Sequence, residues 1–119
     1  MKDITTNDDV KLLVDTFYDR ARADAFIGPV FEKYIHNWDA HLIKLYQFWR
    51  TVILKQAAYR AHPVQMHFKM ALSQAHFDRW LEIWTATVDD LFEGENAEVA
   101  KFRGSKMSDA FMAIIERNK

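Results

Sequence analysis

The chain is 119 residues long, half of them hydrophobic and 14% aromatic, with 16 basic and 17 acidic side chains and no cysteine. That length gives one domain spanning 1–119 around one core, and so apolar a composition excludes a disordered chain. The even charge offers no basic face to a nucleic acid, and the missing cysteines remove disulfides, thiol catalysis and thiolate metal sites together.

Three glycines and two prolines are too few breakers for a sheet protein, so an all-α fold is expected. The polar opening Met1-Lys2-Asp3-Ile4-Thr5-Thr6-Asn7-Asp8-Asp9 is unlike a signal or transit peptide. No apolar run reaches membrane-spanning length. The expectation is a soluble, cytoplasmic protein with neither membrane nor nucleic acid as partner.

Asn7 or Asp8 can cap a first helix that carries Val10, Leu13, Val14, Phe17 and Ala21 on one face and runs to about Asp24. Pro29 breaks it, and a short turn holding Phe31, Tyr34 and Ile35 comes next. Asn37 and Asp39 are caps for the next helix, expected to end near Gln56. It has two adjacent apolar stripes, Trp38, Leu42, Leu45, Trp49 with Val52 or Ile53, and His41, Leu45, Phe48, Val52. So wide an arc touches something on two sides, other helices on one and a ligand on the other.

Tyr59-Arg60-Ala61-His62-Pro63 reads as a loop, with a short helix from about Pro63 to Met70. Ser73 offers an N-cap for a long helix carrying Phe77, Trp80, Leu81, Trp84, Val88 and Leu91, closed by Gly94 or Asn96. A last helix carries Val99, Phe102, Phe111, Ile114 and Ile115, with Gly104-Ser105 as a point where it can kink.

Four Trp, four Tyr and nine Phe are many flat side chains for so short a chain. They suit an ordinary core, and they suit a domain that surrounds a large planar ligand. His41 and His67 lie on different expected helices, and an antiparallel return of the chain can present both to one cavity. A neutral imidazole is a good ligand for haem iron and leaves the opposite axial position open for a gas. Leu45, one turn beyond His41, then makes an apolar ceiling, while Tyr18 and Trp80 supply an O–H and an N–H. Each of these residues also has a plainer reading. Trp38, Trp49, Trp80 and Trp84 fit a core stripe, Met66 and Met70 fit packing, and His36 and His62 fit exposed loops. A di-iron bundle is excluded, since the chain has no paired Glu-x-x-His motif.

Taken in order, Phe17-Tyr18, Gly28-Pro29-Val30-Phe31, His41 with Phe48-Trp49, Tyr59-Arg60 with Pro63, His67, and His76-Phe77-Asp78-Arg79-Trp80-Leu81 resemble the truncated haemoglobins of the third group. The resemblance runs from about Asp3 into the last helix. It implies a shortened globin, a two-on-two helical sandwich around haem b, with His67 as the proximal iron ligand. Tyr18, His41 and Trp80 match the polar distal residues. Phe31 matches the aromatic on the haem face, Leu45 the apolar residue over the ligand, and Phe48-Trp49 the aromatic pair at the pocket. His76 precedes Phe77 in the motif and ranks below His67 as a ligand. One departure is Ala61, where the family usually has Gly, which narrows the backbone freedom of that loop.

The resemblance further implies reversible binding of O2, NO or CO. Polar distal donors favour NO or O2 detoxification, NO dioxygenase or peroxidase-like, over bulk transport, with electrons from a separate reductase because the chain has no flavin or nicotinamide motif. His41 admits two roles, a swinging gate or a second ligand to ferric iron. The rival readings are an oxygen store or carrier, a gas sensor, and a cofactor-free helical binding module.

Overall fold

The computed structural model describes residues 1–55 and 73–117. The loop from Tyr59, with Ala61 and His62, the short helix expected at Pro63–Met70 and His67 itself lie outside the described residues, as do the side chains of Ile114 and Ile115. The described residues form helices α1 (Asn7–Ala23), α2 (Gly28–Tyr34), α3 (Trp38–Leu54), α4 (Gln74–Leu91) and α5 (Glu95–Arg117), with no strand among them. The all-α expectation holds.

The first helix is capped by Thr6 rather than by Asn7 or Asp8. Asp9 N–H donates to Thr6 Oγ1 at 3.1 Å, and Thr6 N–H donates to Asp9 Oδ2 at 3.1 Å. This reciprocal pair satisfies two amides that the helix start would otherwise leave unpaired. The expected apolar face of α1 is borne out, since Val10, Leu13, Val14, Phe17 and Ala21 expose no surface. The segment holding Pro29 and Phe31 is a seven-residue helix instead of a turn. Proline is tolerated in a first turn, where its missing N–H breaks no bond.

Asn37 caps α3 as expected, accepting from Ala40 N–H at 3.1 Å. The helix stops at Leu54, short of Gln56, because Lys55 turns left-handed with φ 59°. Ser73 caps α4, with His76 as its reciprocal partner. Phe92 closes α4, in place of Gly94 or Asn96. Gly94, at φ 132°, instead carries the chain into α5, and a Cβ there would lie 2.6 Å from Asp3 Cγ.

The last helix passes through Gly104-Ser105 without interruption, so the expected kink site is continuous helix. Gly104 has a packing reason: a Cβ there would sit 2.6 Å from Trp84 Cδ1. Its absence lets the indole lie against α5, where Trp84 Nε1–H donates to Ala100 O at 2.9 Å. Helix α1 packs on α2, α3 and α4, and α5 packs on α3 and α4. Phe17, Trp49 and Trp84 are the largest side chains buried between them. Among the described residues no helix is long and apolar enough to cross a membrane.

Candidate ligand-binding cavity

A cavity opens beside this core. Tyr18 reaches it from α1, Ile27, Val30 and Phe31 from the α1–α2 corner, and Leu45 and Trp49 from α3. His76, Phe77 and Trp80 line it from α4, and Met107 and Phe111 from α5. Its lining is mostly apolar with a few placed polar groups, the pattern of small-molecule and cofactor pockets. Walls drawn from every described helix, most of them flat or branched hydrophobes, fit a planar apolar guest such as a porphyrin held by burial.

One polar feature on this wall is a hydrogen bond from the Trp80 indole N–H to the Tyr18 phenol oxygen. Phe17, which exposes no surface, backs both rings, edge-on to Tyr18 at 4.7 Å and to Trp80 at 5.6 Å. Burial pushes the Tyr18 hydroxyl far above the ordinary phenol range, and the Trp80 bond only partly opposes this. Tyr18 therefore stays protonated and able to donate at any physiological pH.

The structure brings together Tyr18, Phe31, Leu45, Trp49 and Trp80 of the sequence-derived site residues, all on the cavity wall. His41 is buried in the first turns of α3 and meets Tyr18 edge-on at 6.1 Å without lining the cavity. Phe48 packs edge-on against Trp49 at 5.1 Å and likewise is not a lining residue. Trp38, read as a core residue, joins the Tyr18 cluster, 5.8 Å from both the Tyr18 and His41 rings.

Sequence reasoning missed Ile27, Val30, Phe77, Met107 and Phe111 as wall residues. Ile27 and Val30 flank the Gly28-Pro29 break, and Phe77 sits three residues before Trp80 on one helix face, so those three carried a local signal. Met107 and Phe111 did not, because only the packing of α5 brings them here.

His76 is also on the wall, stacked on Phe26 at 4.5 Å with the rings 6° from parallel. Its Nδ1 accepts from Ser73 N–H at 3.0 Å. A ring nitrogen that accepts carries no proton, so the neutral imidazole holds its proton on Nε2. An iron-binding nitrogen must be bare while the other one donates. The cap occupies the bare Nδ1 of His76 and leaves the proton on Nε2, so neither ring nitrogen can take a metal without breaking the cap or losing that proton.

No family model matches the chain. A group 3 truncated hemoglobin of Campylobacter jejuni is 25% identical over 121 residues, an alignment that covers 97% of this chain and 95% of that protein. The crystal structure of a group III truncated hemoglobin from Campylobacter jejuni superposes with a TM-score of 0.86 at 24% identity, again over 97% of this chain and 95% of the other. The chain has the truncated-globin fold, and its sequence is similar to that of a group 3 truncated hemoglobin along nearly its whole length.

Proposed function

We propose that this chain, as a single domain over 1–119, binds haem b in the cavity with His67 as the proximal iron ligand and takes up O2, NO or CO. When bound, the haem would supply gas binding at its iron together with its redox chemistry. The residues of the chain then decide how the guest is held. Phe31, Leu45 and Trp49 offer apolar area that would keep water away from the bound group. Tyr18 supplies a proton donor, and the Trp80 N–H that donates to its oxygen fixes the phenol in place.

The observation that carries this reading is the Tyr18–Trp80 pair on a mostly apolar wall. A guest with partial negative charge gains roughly 1.5–3 kcal/mol from one such donor, and each 1.4 kcal/mol is about tenfold in an equilibrium constant. Slow release suits detoxification or redox turnover of NO and O2, with an external reductase in the cytoplasm supplying electrons. It does not suit a store that must unload. His41, edge-on to Tyr18, would act either as a gate for ligands or as a second ligand to ferric iron.

Absorption spectra test the ligand. Wild type should take up haem and show the band pattern of imidazole-ligated iron, and His67→Gly should lose that ligation and regain it with added imidazole. An unchanged spectrum in the variant removes His67 from the role. Tyr18→Phe should speed O2 dissociation by about ten- to a hundredfold, and an unchanged rate would favour the store.

A further inference from the structure

We propose that Trp80, Trp84 and Trp49, with Tyr46 and Asp15 at the outer end, form a relay that carries one-electron oxidising equivalents from the cavity to the surface, where a small phenolic reductant is consumed. The origin of those equivalents, hydrogen peroxide reacting in the cavity, rests on the proposed binding of haem; the relay itself rests on the geometry of the rings.

Trp80 and Trp49 both line the cavity, and the fully buried Trp84 sits between them. Its ring is 6.0 Å from Trp80 with 6° between planes, and 4.3 Å from Trp49 with 23° between planes. The neighbouring pairs of this core are edge-on instead, Phe17 to Trp80 at 76° and Phe17 to Trp84 at 81°. Three near-parallel indoles, one pair closely stacked and the other displaced, set the most readily oxidised side chains side by side. Gly104 keeps the room that Trp84 needs for this stack.

An oxidised indole is trapped as a neutral radical only where a base can take its proton. Trp84 N–H donates to the Ala100 carbonyl and Trp80 N–H to the Tyr18 oxygen, and neither acceptor is a base. Charge on those rings is therefore passed on. One helical turn before Trp49, at the i,i+3 spacing that makes helix neighbours, is the half-buried Tyr46. Its O–H donates to Asp15 Oδ1, and Lys11 Nζ holds the other carboxylate oxygen at 2.7 Å. A phenol loses an electron readily only if its proton leaves as well, and Asp15 is the base in place. At rest, burial first and Asp15 second push the Tyr46 hydroxyl above the ordinary phenol range, so the proton stays on oxygen until the electron goes.

The chemistry balances. The O–O bond of hydrogen peroxide breaks, and its oxygens leave as two waters after gaining two electrons and two protons. Each electron comes through the stack from Tyr46, whose proton passes to Asp15 and then to solvent. A phenolic donor restores Tyr46 by giving up its O–H hydrogen atom, so two donor molecules become two phenoxyl radicals for each peroxide.

Pulse radiolysis tests the relay without haem. Azide radicals oxidise indoles ahead of phenols, and in wild type the indole radical should decay into a phenoxyl radical at a rate independent of protein concentration. Tyr46→Phe should lose most of the phenoxyl signal. Asp15→Asn keeps the phenol but removes its base, and should slow the transfer by roughly tenfold, the worth of one charge-assisted hydrogen bond. Equal phenoxyl yields in wild type and Tyr46→Phe would overturn the proposal. With haem added, peroxide should give a tyrosyl radical by electron paramagnetic resonance that Tyr46→Phe abolishes, and a tyrosyl signal that survives in that variant also overturns it. A protein that takes up no haem defeats the proposed gas-binding function, while radiolysis still judges the relay.

Discussion

The two ends of this molecule are held by different forces. Where the N-terminus meets the α4–α5 turn, the contacts are directional and polar. Lys2 Nζ reaches both Asp9 oxygens at 2.7 and 2.8 Å, and Asp9 also accepts from the Thr5 and Thr6 amides. Asp3 caps α5 from outside, taking the Asn96 and Ala97 amides at 2.9 Å each, while Asn96 Nδ2 donates to Ile4 O at 2.7 Å. Around the cavity the contacts are mostly ring edges and faces, with the Trp80–Tyr18 bond and the Ser73–His76 cap as polar exceptions on the wall. Directional bonds fix the scaffold at one end, so the other end can present area that is non-directional and open to a large apolar guest.

If that division is right, losing a ring from the stack costs far more than losing a carboxylate from the seam. Trp84→Ala removes the largest side chain shared by α4, α3 and α5 and leaves a void, for which about 3–5 kcal/mol is expected. Denaturant unfolding measures it, and a loss under about 1 kcal/mol would mean that the seam carries the fold. Gly104→Ala approaches the same stack from α5. Alanine is better than glycine in a helix interior by about 1 kcal/mol, but its Cβ would lie 2.6 Å from Trp84 Cδ1 and 2.8 Å from Nε1. The clash is with an indole that has no room to retreat, and overpacking of this kind costs about 1–3 kcal/mol. The variant should be less stable than wild type, with altered tryptophan fluorescence.

The seam should instead show itself through pH. Burial raises the Asp9 carboxyl, but the Lys2 ammonium and the Thr5 and Thr6 amides outweigh it and bring it from 3.8 down to about 2. A carboxyl lowered in the folded state contributes stability that is complete above its unfolded value and is lost as pH falls through the folded one. The window therefore runs from just above 3.8 down to about 2. Because Lys2 is well exposed, solvent screening trims the effect to about 1–2 kcal/mol. Thermal melts across that window should lose slope in Asp9→Asn. Asp3, lowered in the same direction by the α5 amides against its burial, adds to the trend.

The helical scaffold was legible because burial follows spacing. The stripe from Val10 to Ala21 named a face, and the face is buried. Caps were less legible: Asp8 and Asp9 are adjacent acids, and only the second completes the reciprocal pair with Thr6. The stop at Lys55 is a backbone choice that no side-chain pattern announces. In the site, Tyr18, Phe31, Leu45, Trp49 and Trp80 could be named from the order of motifs, since each sits in a local signature. Met107, Phe111 and the Tyr46–Asp15 pair could not, because their neighbours are set by how α1, α3 and α5 cross.

The smallest expected effect lies where the two regions meet. Asp24 ends α1, accepts from the Phe26 and Ile27 amides at 3.0 Å each, and receives Arg79 Nε from α4 at 2.8 Å. The Ile27 amide is the chief cause of its lowered pKa, ahead of the opposing burial and the Arg79 bond. Ile27 is itself a wall residue, so this carboxylate positions the cavity corner mainly through backbone. Arg79 is 43% exposed on its side chain and also shares Glu82. An exposed pair of this kind is worth about 0–1 kcal/mol and fades with salt. Arg79→Ala should therefore cost less than about 1 kcal/mol, with the difference from wild type shrinking in high salt. Asp24→Ala removes the amide acceptor as well and should cost more, about 1–2 kcal/mol. Equal losses in the two variants would mean that the ion pair, rather than the carboxylate's grip on the backbone, holds the corner of the cavity.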